Sequence, residues 1–187
     1  LSTALSLQRV LSALAASEIP HMVAGSFAGM AHGLLRTTYD IDVIIDPTRA
    51  QLDRFVASLP ADEFYVSPEA ADEAWRRRGQ FNVIDLATGW KTDLILIKRR
   101  AFSREEFSRR RPDSLFGVEI YVATAEDTIL SKLEWARLGE SQRQIRDVVV
   151  ILELRLASLD RAYLDHWARE LGVTELWARV QREAAAG

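Results

Sequence analysis

Asp40 and Asp42 stand one residue apart in the β-branched run Asp-Ile-Asp-Val-Ile-Ile. In a strand, residues two apart share a face, so both carboxylates point one way while Ile41 and Val43 point into packing. Adjacent carboxylates repel and raise one another's pKa unless a cation lies between them. Mg²⁺ is such a cation: it takes oxygen ligands and keeps waters and phosphate oxygens as the rest of its shell. Just upstream, residues 22–24 read as a short strand that runs into Gly25-Ser26. Gly25 lets the backbone turn sharply and Ser26 can cap the helix that follows, so free N–H groups and one hydroxyl are offered to a phosphate chain. An ordinary strand-to-helix turn contains the same residues, and an Asp-x-Asp also arises by chance. Their immediate succession is more specific, because it places anion donors and metal ligands at one end of one sheet.

Further residues can join this group. Arg36, in the loop leading to the aspartates, either meets a phosphate or braces the carboxylates. Asp93 is the acid at the head of the apolar run 94–97, and a lone carboxylate there is costly without a partner. Asp85, on the preceding strand, is the alternative. Lys132 lies between Leu130, Leu133 and Trp135 on a helix whose apolar positions are expected to be buried, which would direct its ammonium across a cleft. His21 and His32 read as a strand-edge and a helix-end residue.

The elements that position these groups can be traced in order. Leu7, Val10, Leu11 and Leu14 fall at helical spacing over residues 3–17, ahead of Pro20. Asp46-Pro47 and Ser67-Pro68 each read as a helix start, with the first residue as N-cap and proline at the first helical position. Residues 80–87 and 90–97 form a hairpin turning at Thr88-Gly89, with Lys91, Asp93, Ile95 and Ile97 on one face. Residues 99–111 hold six arginines against two glutamates, either as a solvated connector ending at Pro112 or as a landing site for a polyanion. The arginine triplet 76–78 poses the same choice. After a strand over 118–122, Thr124 caps a helix that ends at Gly139, and the rest of the chain is helical.

At 187 residues without cysteine, the chain needs no disulfide and suits a reducing cytoplasm. Its net charge of -3 argues against a whole surface built to coat nucleic acid. The apolar runs are too short to span a bilayer, and residues 1–16 lack a signal-peptide pattern, so no membrane partner is expected.

Gly25-Ser26, Gly33, Arg36, Thr38 and Asp40-Ile41-Asp42 together resemble the signature of the polymerase-β-like nucleotidyltransferase superfamily. The segment from Glu126-Asp127 through Lys132 to Trp135, followed by Ser141, Arg143, Gln144, Arg146 and Asp147, resembles the bacterial group related to AbiEii abortive-infection toxins. The resemblance implies an α+β nucleotidyltransferase fold: a mixed β-sheet flanked by helices over residues 1–122, and a C-terminal helical bundle over 123–187 packed on that core. It also implies roles. Asp40, Asp42 and Asp93 would be the catalytic, Mg²⁺-binding carboxylates, with Asp93 as the third acid on a later strand, and Gly25, Ser26, Arg36 and Lys132 would bind the nucleotide. The implied partners are a nucleoside triphosphate, an RNA end or a protein as acceptor, and an antitoxin. Small-molecule antibiotics as acceptors, or a non-catalytic nucleotide- or partner-binding module, are the alternatives. Arg143 and Asp147 match motif positions, and an ion pair within one helix would account for them equally well.

Overall fold

The computed structural model describes residues 2–35, 38 and 40–186. In chain order the elements are α1 (Ser2–Ala16), β1 (His21–Val23), α2 (Gly25–Ala31), β2 (Asp40–Ile45), α3 (Arg49–Ser58), β3 (Phe64–Val66), α4 (Pro68–Arg77), β4 (Gln80–Asp85) and β5 (Lys91–Leu96). They continue with α5 (Ala101–Ser108), β6 (Arg111–Leu115), β7 (Val118–Val122), α6 (Ala125–Gly139), α7 (Gln142–Arg155), a 3₁₀ turn (Leu156–Ser158), α8 (Arg161–Glu170) and α9 (Thr174–Ala186).

The strands form one mixed sheet in the order β3-β4-β5-β2-β1-β7-β6. The pairs β2/β5 and β1/β7 are parallel, and the others are antiparallel. The period-2 alternation divides the central strands as the sequence implies. Ile41, Val43 and Ile45 of β2 and Leu94 and Leu96 of β5 enter one core with Leu7, Val10, Leu11 and Leu14 of α1 and Leu52 and Phe55 of α3. A second core joins Leu34 and Phe102 to the apolar faces of α6, α7, α8 and α9.

Several local expectations are corrected. Asp46 is not a helix cap: α3 is capped by Thr48, which forms a reciprocal capping box with Gln51, while Asp46 is paired to Arg78 at 3.3 Å. The Ser67-Pro68 start is confirmed, with the Ser67 hydroxyl accepting from Ala70 N–H at 3.1 Å. The connector does not end at Pro112, because residues 111–115 form an edge strand. Proline is tolerated there since no neighbour requires its missing N–H. A tight turn at Phe116-Gly117, both with positive φ, returns the chain to β7 in the manner of a two-residue hairpin. Trp135 is 58% exposed, not buried.

No helix among the described residues is long and apolar enough to cross a membrane.

Candidate active site

β2 and β5 run parallel in a register that sets Asp40 opposite Lys91 and Asp42 opposite Asp93. Four charged side chains therefore form a two-by-two block on the face of the sheet turned away from α1 and α3. The Lys91 ammonium donates to Asp93 Oδ2 at 2.9 Å and lies 3.3 Å from Asp40 Oδ1. These two bonds raise the Lys91 pKa, that to Asp93 more than that to Asp40. Asp93 is 8% exposed. Asp42 is left as the least compensated acid of the block: burial, then repulsion from Asp93 and Asp40, push its pKa up to about 6, while Lys132 and Lys91 pull the other way.

This donor set suits a hard divalent cation in chemistry and charge. It consists of carboxylate oxygens, and the excess negative charge that raises Asp42 is what such a cation would relieve. Among the described residues, however, no three acidic or histidine side chains converge closely enough to hold an ion as they stand, and Lys91 is the cation between Asp40 and Asp93.

Gly25 has φ +59° and crosses directly above Asp42, so that a Cβ built there would lie 1.9 Å from Asp42 Oδ2. Ala24 N–H donates to the Asp42 carbonyl at 2.9 Å, which ties the turn to β2. Ser26 does not cap α2. The cap position is Ala24, without a side-chain bond, and Ser26 lies within the helix. Gly25, Ser26, Asp40 and Asp42 all line one cleft of about 580 Å³ together with Thr38, Lys132, Arg143 and Gln144.

Lys132 is 4% exposed. Its ammonium donates to Asp147 Oδ2 at 2.8 Å and to Gln144 Oε1 at 3.1 Å, joining α6 to α7 on the wall facing the aspartates. Asp147 is thus engaged across helices by Lys132, and among the described residues no ion pair joins it to Arg143 within α7. The expectation that Lys132 reaches the cleft is met by its position. Arg36 lies outside the described residues.

Other sequence candidates lie elsewhere. Asp85 is fully buried on the opposite side of the sheet, where Arg9 spans both its oxygens at 3.0 and 3.1 Å and two turn N–H groups donate to it. The triplet 76–78 pairs with Asp72, Glu73 and Asp46. Much of the arginine-rich stretch is also committed internally. Arg100 forks onto Glu134, Arg109 pairs with Asp127 at 3.1 Å and stacks on Tyr163, and Arg110 stacks on Phe107. His32 Nε2 bonds the Ala123 carbonyl at 2.7 Å, and burial lowers its pKa.

Two kinds of site residue escaped the sequence analysis. Lys91 was placed on the correct face, but its contact with Asp40 depends on strand register. Ser103 and Glu106 of α5 and Thr128 and Ser131 of α6 line the same cleft beyond the aspartates. In the sequence Glu106 stands only as one of two acids in a basic stretch. The signal available was its position three residues after Ser103 and one before Phe107, on a helix with an apolar side.

No protein-family profile and no curated protein sequence matches this chain. Solved structures do. The solution structure of the antibiotic-resistance factor ANT(2'')-Ia aligns over 99% of this chain and 98% of its own, with 14% identity and a TM-score of 0.59. The crystal structure of ANT(2'')-Ia in complex with adenylyl-2''-tobramycin aligns over 91% and 97%, with 13% identity and a TM-score of 0.61. An antigenic nucleotidyltransferase-like protein from Paracoccidioides brasiliensis aligns over 92% and 85%, with 15% identity and a TM-score of 0.59. With its mixed seven-stranded sheet flanked by helices, this chain has the nucleotidyltransferase fold.

Proposed function

We propose that this protein transfers a nucleoside monophosphate from a nucleoside triphosphate to a hydroxyl acceptor. The observation that carries this is the cleft that Asp40 and Asp42 line together with Gly25, Ser26 and Lys132, with Asp93 opposite Asp42 in the strand register. In the reaction the acceptor oxygen forms a new bond to the α-phosphorus. The bond from that phosphorus to the bridging oxygen breaks, and pyrophosphate leaves.

Asp40 and Asp42 would hold Mg²⁺, with Asp93 completing a second metal position, and the bound cation supplies positive charge to the triphosphate and to the entering and leaving oxygens. Asp93 is also the group to take the acceptor proton, being the acid deepest in the block. Gly25 and Ser26 offer backbone N–H groups and a hydroxyl to the β- and γ-phosphates. Lys132 offers its ammonium, held toward the cleft by Asp147 and Gln144. Arg36 joins this set on the strength of the sequence motif alone.

The resemblance of residues 126–147 to the AbiEii-related group supports a toxin whose acceptor is an RNA end or a protein, with an antitoxin as partner and the cytoplasm as its place of action. A second reading, a small-molecule acceptor, is supported by the internal commitment of Arg100, Arg109 and Arg110, which removes much of the polyanion surface. The fold neighbour solved with adenylyl-2''-tobramycin supports it as well.

Incubation with Mg²⁺ and each α-labelled triphosphate, together with total RNA, cell protein or antibiotics in separate pools, tests the proposal against Asp42→Asn. Label in one pool, lost in the variant, supports it and identifies the acceptor class. Absence of both transfer and metal-dependent triphosphate binding overturns it.

A further inference from the structure

Beyond the aspartates, the cleft continues between two helix faces. Ser103 and Glu106 are three apart on α5, and Thr128, Ser131 and Trp135 recur at helical spacing on α6, so each set shares one face of its helix. Glu106 is 4% exposed. Among the described residues it accepts one bond, from the Ser131 hydroxyl to Oε1 at 2.8 Å.

Arg100 is a cation acting on Glu106, but its fork is spent on Glu134, with Nη2 2.6 Å from Oε2, and its Nε donates to Ser103 at 2.9 Å. Glu106 is therefore a buried carboxyl in a cleft wall whose neighbouring cation Arg100 is bound to another acid. A buried carboxylate in that position is costly until a cation meets it. An independent observation points to a ligand on the same wall. Among the described residues the Thr128 hydroxyl has no hydrogen-bond partner, although the residue is buried and lines the cleft one helical turn from Ser131.

We propose that this end of the cleft is the acceptor subsite and takes a small polyhydroxylated amine, with Glu106 receiving the ammonium, the Thr128 and Ser131 hydroxyls meeting acceptor hydroxyls, and Trp135 covering the acceptor's apolar face. The assignment rests on the transferase reading for which end of the cleft does chemistry. It does not depend on turnover. An RNA acceptor would place phosphates against Glu106, whose charge Arg100 offsets only in part because its fork is held by Glu134. A neutral polyol would leave the carboxyl unanswered.

Calorimetric titration of the full chain at pH 7.5 tests the proposal with three probes: tobramycin as an amine-rich polyol, raffinose as a neutral one, and a short single-stranded RNA. Saturable binding of tobramycin but not raffinose is expected, weakened at least 10-fold in Glu106→Gln and about 3-fold or more in the near-isosteric Thr128→Val. Titration with a non-hydrolysable nucleoside triphosphate analogue separates the two readings. Its affinity should fall in Lys132→Met and hold in Glu106→Gln. If tobramycin binds as expected but the analogue does not bind, the transferase reading fails and the amine subsite stands. Equal tobramycin affinity in folded Glu106→Gln, or tighter binding of RNA than of tobramycin, overturns the subsite.

Discussion

Asp42 and Asp93 face each other across the parallel pair β2/β5, and Gly25 passes so close above Asp42 that only a residue without a Cβ fits. The acid pair and the turn are thus one unit, in which the backbone of the turn sets the position of a carboxylate.

Gly25→Ala tests that unit. The new methyl would meet the Asp42 carboxylate, and the positive φ disfavours alanine, typically by about 1 kcal/mol or more. We expect monophosphate transfer to fall at least about 100-fold, a rate loss equivalent to about 2.7 kcal/mol, with the protein still folded by circular dichroism. Wild-type transfer by the folded variant would show that Asp42 need not be held from above.

Lys91 would compete with the proposed metal for the same oxygens, since it donates to Asp93 and contacts Asp40. Replacing it with Met removes the resident cation. Mn²⁺ binding followed by electron paramagnetic resonance should tighten several-fold in Lys91→Met and be lost in the Asp42→Asn, Asp93→Asn double variant. Weaker binding in Lys91→Met would mean that Lys91 organises the acids for the metal rather than holding its place.

Burial raises the Glu106 pKa to about 7; Asp127 and Glu134 add to the rise, and Ser131 and Arg100 oppose it. A carboxyl with a raised folded-state pKa favours the native protein while protonated. Stability therefore falls as pH rises from the ordinary glutamate value, near 4.5, through about 7. Glu106→Gln removes this dependence, so its stability relative to wild type should grow by up to about 3 kcal/mol between pH 4.5 and pH 8. Urea unfolding at stepped pH measures the gap. A gap that does not change with pH would place the Glu106 proton affinity at its ordinary value.

Asp85 is expected to act through stability alone. Its carboxylate is buried and bound by Arg9 and by the N–H groups of Ala87 and Thr88. Asp85→Ala leaves Arg9 without that partner and opens the β4–β5 turn, a loss of about 3–5 kcal/mol in denaturant unfolding. Transfer per folded molecule should be unchanged, and a specific catalytic loss would return Asp85 to the active site.

Much of this architecture was legible in the chain itself, because it follows from local rules. The Asp40/Asp42 face, the hairpin carrying Asp93, the Thr124 cap and the four C-terminal helices each depend on spacing, on capping or on turn residues close in sequence. Strands with weak local signals were harder to recognise. Residues 64–66 are too few to show alternation, and residues 111–115 contain a proline and face solvent, so only pairing to β4 and β7 makes them strands.

The site divides in the same way. Residue type and spacing nominated Gly25, Asp40, Asp42, Asp93 and Lys132, because each stands out within its own element. The burial of Asp85 on the α1 side of the sheet, against Arg9, depends on tertiary packing that spacing along one strand does not contain. The contact of Lys91 with Asp40, the pairing of Lys132 with Asp147, and the meeting of Glu106 with Ser131 join residues 51, 15 and 25 positions apart. Residue order sets which side chains carry charge and which face of each element they occupy. The tertiary structure alone decided which charges meet, because strand register and helix packing are set by burial of the whole apolar surface at once.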